Sequence, residues 1–229
     1  MKKQFSLSGK RKTKTKKEEQ EEQQEAQPEA IDLTEFLNAL EKPELRVTGI
    51  YGGVEEERCS ETIYGLLALH TAGQTSAPED PEVENSPMIT TYKPIDFYVS
   101  TYGGSAAEMF AVYDVMRTIR DKSPIRTHGV GKVMSAGVLM LAAGTKGERR
   151  IGKYCRVMIH GVVAGQHGHI ADVENEFEET KHTQKMYIKA LAEETNMTER
   201  YLKNLVSKKT NIYIDAEEAV NLGIADIIV

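Results

Sequence analysis

The chain reads as an α/β domain with at least partly parallel strands, and three observations carry that expectation. Extended and helical patterns alternate from Leu45 to the C-terminus, which is the mark of strands joined through helical crossovers. Two capping boxes, Ser105 with Glu108 and Asp215 with Glu218, each open a run with apolar residues at helical spacing. The 229 residues, 40% of them apolar, suffice for one sizeable core with tails.

Asp32-Leu-Thr-Glu-Phe-Leu is a short amphipathic piece, and Leu45 to Tyr51 alternates as a strand. Ser60 is a candidate cap for a helix carrying Ile63, Leu66, Leu67 and His70. Ile95 to Ser100 is the next strand. Gly103-Gly104 then turns the chain, and Ser105 caps a helix whose Met109, Val112, Tyr113, Met116 and Ile119 share one face. Ile125 to Gly129 predicts a short strand, Ser135 to Ala143 a helix of small residues that can pack closely, and Arg156 to Ile159 another strand. A long charged helix is expected from Asp172 to Glu194, and a last one from Asp215, stopped by Gly223.

Outside this body the composition changes. Lys2, Lys3, Lys10, Arg11, Lys12, Lys14, Lys16 and Lys17 are followed by Glu18, Glu19, Glu21, Glu22 and Glu25. A segment so poor in apolar residues cannot offset the entropy of ordering it, so residues 1–30 are expected to be a disordered tail and 31–229 a single domain. A second polar stretch, with three prolines between Gln74 and Pro87, predicts an exposed loop insertion at about 74–94.

Charge and cysteine usage exclude several classes. A net charge of −6 disfavours a nucleic-acid-binding body, which needs a clustered positive field. No run approaches the roughly 20 apolar residues of a membrane span, and the basic start lacks the apolar stretch of a secretory signal. Cys59 and Cys155 form neither a disulfide framework nor a metal-ligand spacing, so a reducing compartment, the cytoplasm, is expected; the unusual tail and insertion suit a plastid or infected-cell cytoplasm as the alternative. No cofactor and no metal is expected.

Ser135 lies in Gly131-Lys-Val-Met-Ser-Ala-Gly137, between a glycine-bearing turn and the start of a small-residue helix. Unpaired N–H groups at a helix N-terminus stabilise negative charge, which an acyl-transfer nucleophile needs for its tetrahedral intermediate. Gly103-Gly104 supplies a second backbone that can approach a reacting carbonyl closely. His160 closes the apolar run Arg156-Val-Met-Ile-His160.

The order Gly-Gly-Ser, Ser-Ala-Gly, Met-Ile-His resembles the ClpP peptidase family, within the fold group that also holds the crotonases. Gly144-Thr-Lys-Gly-Glu-Arg-Arg150, the Gly165-Gln-His-Gly168 turn and the closing Asp215-Ala-Glu-Glu-Ala-Val-Asn-Leu-Gly-Ile-Ala-Asp226 are similar to the family's segments, so the resemblance spans roughly residues 45–229. It implies stacked, mostly parallel sheets with surrounding helices and a protruding handle helix. By the same resemblance Ser135 is the nucleophile, His160 the general base, and the N–H groups of Gly104 and Ala136 the oxyanion hole. A peptide substrate would lie extended against Ser105, after Gly104, and against a strand from Val163 through Gly165 to His167. A homo-oligomer of stacked heptameric rings, a tetradecamer, and an AAA+ Clp unfoldase are the partners the resemblance implies.

Asn211 stands where the family carries its triad aspartate. An amide oxygen can accept the Nδ1–H bond of His160 and hold the ring in the useful tautomer, but it leaves the imidazolium without a counter-ion. Tyr102 replaces the proline before Gly-Gly, and Gly161-Val162 replaces the Gln-Pro after the histidine. The reading is therefore a serine endopeptidase of reduced or context-dependent activity, the ATP-dependent Clp protease proteolytic subunit being the function implied. A catalytically weak or inactive ring subunit with a structural or regulatory role is the alternative.

Overall fold

The computed structural model of the chain describes residues 44–208 and 210–229. The expected charged tail, residues 1–30, and the amphipathic piece from Asp32 lie outside the described residues. From Leu45 the elements run β1 (Val47–Val54), α1 (Glu56–Ala72), β2 (Gln74–Pro78), β3 (Met88–Tyr92), β4 (Ile95–Gly104), α2 (Ala106–Ile119) and β5 (Ile125–Met134). They continue as α3 (Ala136–Ala142), β6 (Arg150–Ile151), β7 (Arg156–Ile159), α4 (Ile170–Glu194), α5 (Glu199–Ser207), β8 (Ile212–Ile214), α6 (Ala216–Asn221) and β9 (Ile227–Ile228).

Among the described residues one seven-stranded sheet runs β1-β4-β5-β6-β9, and it forks at β5. The first half of β5 pairs with β6 at His128 and Gly129, and its end pairs with β7 at Lys132 to Met134. Every pairing is parallel except that of β8 with β7. Parallel strands place their C-terminal ends on one edge, and an antiparallel strand begins at that edge.

Several expected elements shift for identifiable reasons. Ser60 is not a cap: α1 starts four residues earlier, with Glu56 and Glu57 in its first turn favoured by the helix dipole, and Ser60 Oγ donates to the Glu57 carbonyl inside the helix. β5 runs on past Gly129. A Cβ at Gly129 would meet the Leu141 side chain at 2.9 Å, so the glycine there serves the close approach of α3 rather than ending the strand. Residues 74–92 are not a plain loop, because β2 and β3 pair antiparallel with cross-strand hydroxyl pairs Thr75–Thr91 and Ser76–Thr90. The strand expected from Val163 to His167 is irregular, since no neighbouring strand takes up its backbone groups. α5 is additional to the expected elements; Thr198 caps it, accepting from Tyr201 N–H, and Leu202, Leu205 and Val206 bury its inner face.

Other expectations match residue for residue. Met109, Val112, Tyr113, Met116 and Ile119 are all buried on α2, whose cap Ser105 Oγ accepts from Glu108 N–H. All seven residues of α3 are buried. By contrast α4 buries residues only in its last turns, from Tyr187 onward, and leaves Ile170 79% and Phe177 55% exposed. Cys59 and Cys155 are free and buried, and burial pushes the Cys155 thiol up to about 11. No helix among the described residues is long and apolar enough to cross a membrane.

A buried ionic network ties the C-terminal end of α3 to distant parts of the chain. Arg149 donates to the Ala142 carbonyl at 3.2 Å, to the Glu194 carbonyl at 2.7 Å, and to both oxygens of Asp226 at 2.6 and 2.8 Å. Arg120 donates to the Ala143 carbonyl and pairs with Glu194, which also accepts from Tyr113 O–H. Two guanidinium groups thus sit where the helix dipole is negative. Burial disfavours charge on Asp226, but the side-chain bonds from Arg149, with the backbone N–H groups of Arg149 and Gly147, more than offset it and hold the carboxyl below the usual range.

A depressed folded-state value means that Asp226 contributes stability above the unfolded carboxylate pKa of about 4, and that this contribution is lost as pH falls through the folded value. Melting temperature measured from pH 6 downward should therefore fall for the parent chain. Asp226→Asn should start lower and lose less across the same window; parallel curves for the two proteins would refute the assignment.

Candidate active site

The C-terminal ends of β4, β5 and β7 share one edge of the sheet, and the residues that follow or close those strands are Gly103-Gly104, Ser135 and His160. All four line one cavity of about 440 Å³, together with Ser105, Ala136, Val163 and Tyr187. Clefts beyond the carboxyl ends of parallel strands are where α/β proteins characteristically bind ligands.

Ser135 is bound into this edge by its backbone. Its N–H donates to the Met158 carbonyl at 2.8 Å, extending the β5 to β7 ladder by one bond. Its φ of 54° and ψ of −119° lie in a region that costs a non-glycine residue about 1–3 kcal/mol. Such a turn between strand and helix lifts the side chain out of the sheet and into the cavity. Ala136 is the first residue of α3, so its N–H has no acceptor within the helix.

Gly103 adopts a φ of 98°, and a Cβ built on it would lie 2.5 Å from the Ser135 Cβ. Only glycine lets the end of β4 pass this close to the serine. Thr101 Oγ1 accepts from Gly103 N–H at 2.9 Å and itself donates to the Gly52 carbonyl, which fixes the turn from below.

His160 stands between two cavities. The second, about 560 Å³, is lined by His160, Val163, Gln184 and Asn211 among others. Ile159 pairs with Ile212 in the antiparallel β7 to β8 ladder, so the next position along the register sets Asn211 opposite His160. Among the described residues neither the Ser135 hydroxyl nor the His160 ring takes part in a hydrogen bond; His160 shares one cavity with Ser135 and the other with Asn211. Catalytic hydrogen bonds are often long or misaligned without substrate.

Of the remaining expected positions, Ser105 and Val163 line the first cavity, while Gly165 and His167 are exposed and line neither. Two residues on α4 were not anticipated. Gln184 Oε1 accepts from Val162 N–H at 3.1 Å and fastens the chain just after His160; Tyr187 O–H donates to the Ser135 carbonyl at 3.1 Å. Their spacing of three on one helix face is a signal in the sequence, but a charged helix offers many such pairs. Among the described residues no group of three or more His, Cys, Asp or Glu side chains is placed to hold a metal ion.

Residues 88–229, more than half of the chain, match the model of the Clp protease family. The chain is similar to ATP-dependent Clp protease proteolytic subunit 2 of Prochlorococcus marinus (strain NATL2A), with 36% identity over 135 residues. That alignment takes in 58% of this chain and 66% of the relative, so the chain spans just under two thirds of the curated protein it matches. The matched segment begins at Met88 in β3 and contains β4 to β9, hence both glycines, Ser135, His160 and Asn211. On the extent of that match, the chain belongs to the Clp protease family.

Proposed function

We propose that the chain is a serine endopeptidase subunit in which Ser135 is the nucleophile, His160 the general base and Asn211 the residue that orients it. The observation that carries this reading is the convergence of Gly103-Gly104, Ser135 and His160 on one cavity at the carboxyl edge of the sheet. Ser135 Oγ passes its proton to His160 Nε2 as it attacks the scissile carbonyl, and the negative oxygen of the tetrahedral intermediate is received by the N–H groups of Gly104 and Ala136. Collapse expels the amine, which takes the proton back from His160; water then repeats the sequence on the acyl-enzyme. Asn211 Oδ1 accepts from His160 Nδ1–H and keeps Nε2 free, without the charge that would stabilise the imidazolium.

Substrate runs extended past Ser105 and along Val163 to His167, whose backbone groups have no strand partner among the described residues and suit β-addition by a peptide. The exposed half of α4 supports assembly. Its first turns carry Ile170 and Phe177 outward with no buried residue before Tyr187, so this half of the helix is suited to interdigitation between stacked rings. A ring-shaped homo-oligomer served by an AAA+ Clp unfoldase, acting in the cytoplasm, is the setting proposed. A single peptidase domain belongs to the same proposal.

Peptide hydrolysis should fall by on the order of 10⁴ in Ser135→Ala and in His160→Ala, with little further loss in the double variant, because members of such a unit act together. Asn211→Asp should raise turnover by at least roughly tenfold near neutral pH by restoring the counter-charge. Hydrolysis that survives Ser135→Ala refutes the peptidase reading, and an unchanged Asn211→Asp removes Asn211 from the triad. Labelling of Ser135 by a fluorophosphonate probe separates a peptidase from an inactive ring subunit.

Gly103→Ala should leave a folded protein with hydrolysis reduced by on the order of 10² or more, since the added methyl must displace Ser135. Activity near that of the parent would contradict the close approach described above. Light scattering at micromolar concentration should return a ring-sized particle, and a monomer throughout would overturn the assembly.

A further inference from the structure

The peptide group that joins Ser135 to Ala136 is planar, so its carbonyl and its N–H point in fixed, opposite directions. Whatever holds the Ser135 carbonyl therefore aims the Ala136 N–H. That carbonyl accepts two hydrogen bonds. One comes from Val138 N–H at 3.0 Å, within the first turn of α3. The other comes from Tyr187 O–H at 3.1 Å, from a helix that lies 52 residues further along the chain.

Three features make the second bond more than a packing contact. Ser135 occupies a strained backbone region that persists only where the surroundings hold it, and the bond from Tyr187 is one of the contacts that do so. Tyr187 is 4% exposed and lines the same cavity as Ser135, Ala136 and His160, so its ring is held in place beside the site by the packing around it. Burial also pushes the Tyr187 phenol well above its usual range, which keeps it a donor at any working pH.

We infer that Tyr187 is a positioning residue for the oxyanion site: its O–H clamps the Ser135 carbonyl and so directs the Ala136 N–H into the cavity. The inference rests on the peptidase reading given above. A peptide carbonyl that accepts a hydrogen bond also polarises the N–H on its other side, so the clamp strengthens the donor as well as aiming it. The demand is greatest when the substrate oxygen carries full negative charge. The effect is thus expected on the transition state and not on substrate binding.

Tyr187→Phe removes the O–H and keeps the ring. In the full-length protein kcat for a peptide substrate should fall by about ten- to hundredfold, less than the loss of an oxyanion donor outright, with KM changed by less than about twofold. Affinity for a peptide boronate, whose tetrahedral adduct on Ser135 places an oxygen in the oxyanion site, should fall by a similar factor. Affinity for the same peptide with a reduced CH₂–NH bond should not change. Unaltered kcat and boronate affinity would overturn the inference and leave the peptidase reading standing. A variant that lost affinity for both ligands equally would show a merely structural role and overturn it too. Absence of hydrolysis and of boronate binding in the parent protein would overturn the peptidase reading and this inference together.

Discussion

Arg149 is the residue on which the arrangement of the site most depends. Its guanidinium is buried and binds the end of α3, the end of α4 and the carboxylate of Asp226. An unpaired buried guanidinium costs several kcal/mol, so these three parts of the chain are obliged to meet around it. α3 is short and wholly buried, and its N-terminal end presents Ser135. A helix of seven residues has little stability of its own, and its placement comes from what grips it. The Arg149 and Arg120 bonds hold its C-terminal end, while the Ser135 bonds to Met158 and Tyr187 hold the other.

Held at both ends, α3 can keep Ser135 in a backbone conformation it would not choose. The strain is local, a single residue at the junction of β5 and α3, and it coincides with the position where the chain must leave the sheet and expose a side chain at once. Gly103 meets the same constraint from the other side. It admits β4 to within a methyl group of the serine, and no residue with a side chain could do so. The cavity is therefore defined by backbone geometry on two walls, with His160 and Tyr187 closing the remaining sides.

Helix α4 joins two regions of unlike character. Its last turns are packed into the core and carry Tyr187 and Gln184 to the site, while its first turns stand away from the body with Ile170 and Phe177 exposed. A helix that touches the Ser135 carbonyl at one end and solvent at the other links the geometry of the site to whatever contacts the exposed half makes.

The local elements were legible where a short-range rule operates. Ser105 with Glu108 and Asp215 with Glu218 name their helices, because a cap is made between residues three apart, and the face of α2 follows from its spacing. Ser135, His160 and the glycine pair were legible as motifs. What the sequence could not supply are features set by partners remote along the chain. The length of β5 depends on α3 packing over Gly129, the β2 to β3 hairpin on pairing across a polar turn, and the irregular path of Val163 to His167 on the absence of a neighbouring strand. By itself the sequence determined the fold class, the helix starts marked by the two capping boxes, and the chemical types brought to the site, since each of these is encoded within a few residues. Only the tertiary structure decided that Tyr187 and Gln184 face that site, that Asn211 lies in register with His160, and that Arg149 fastens the helix beneath Ser135. Each is a meeting of segments tens of residues apart, and nothing in local periodicity specifies it.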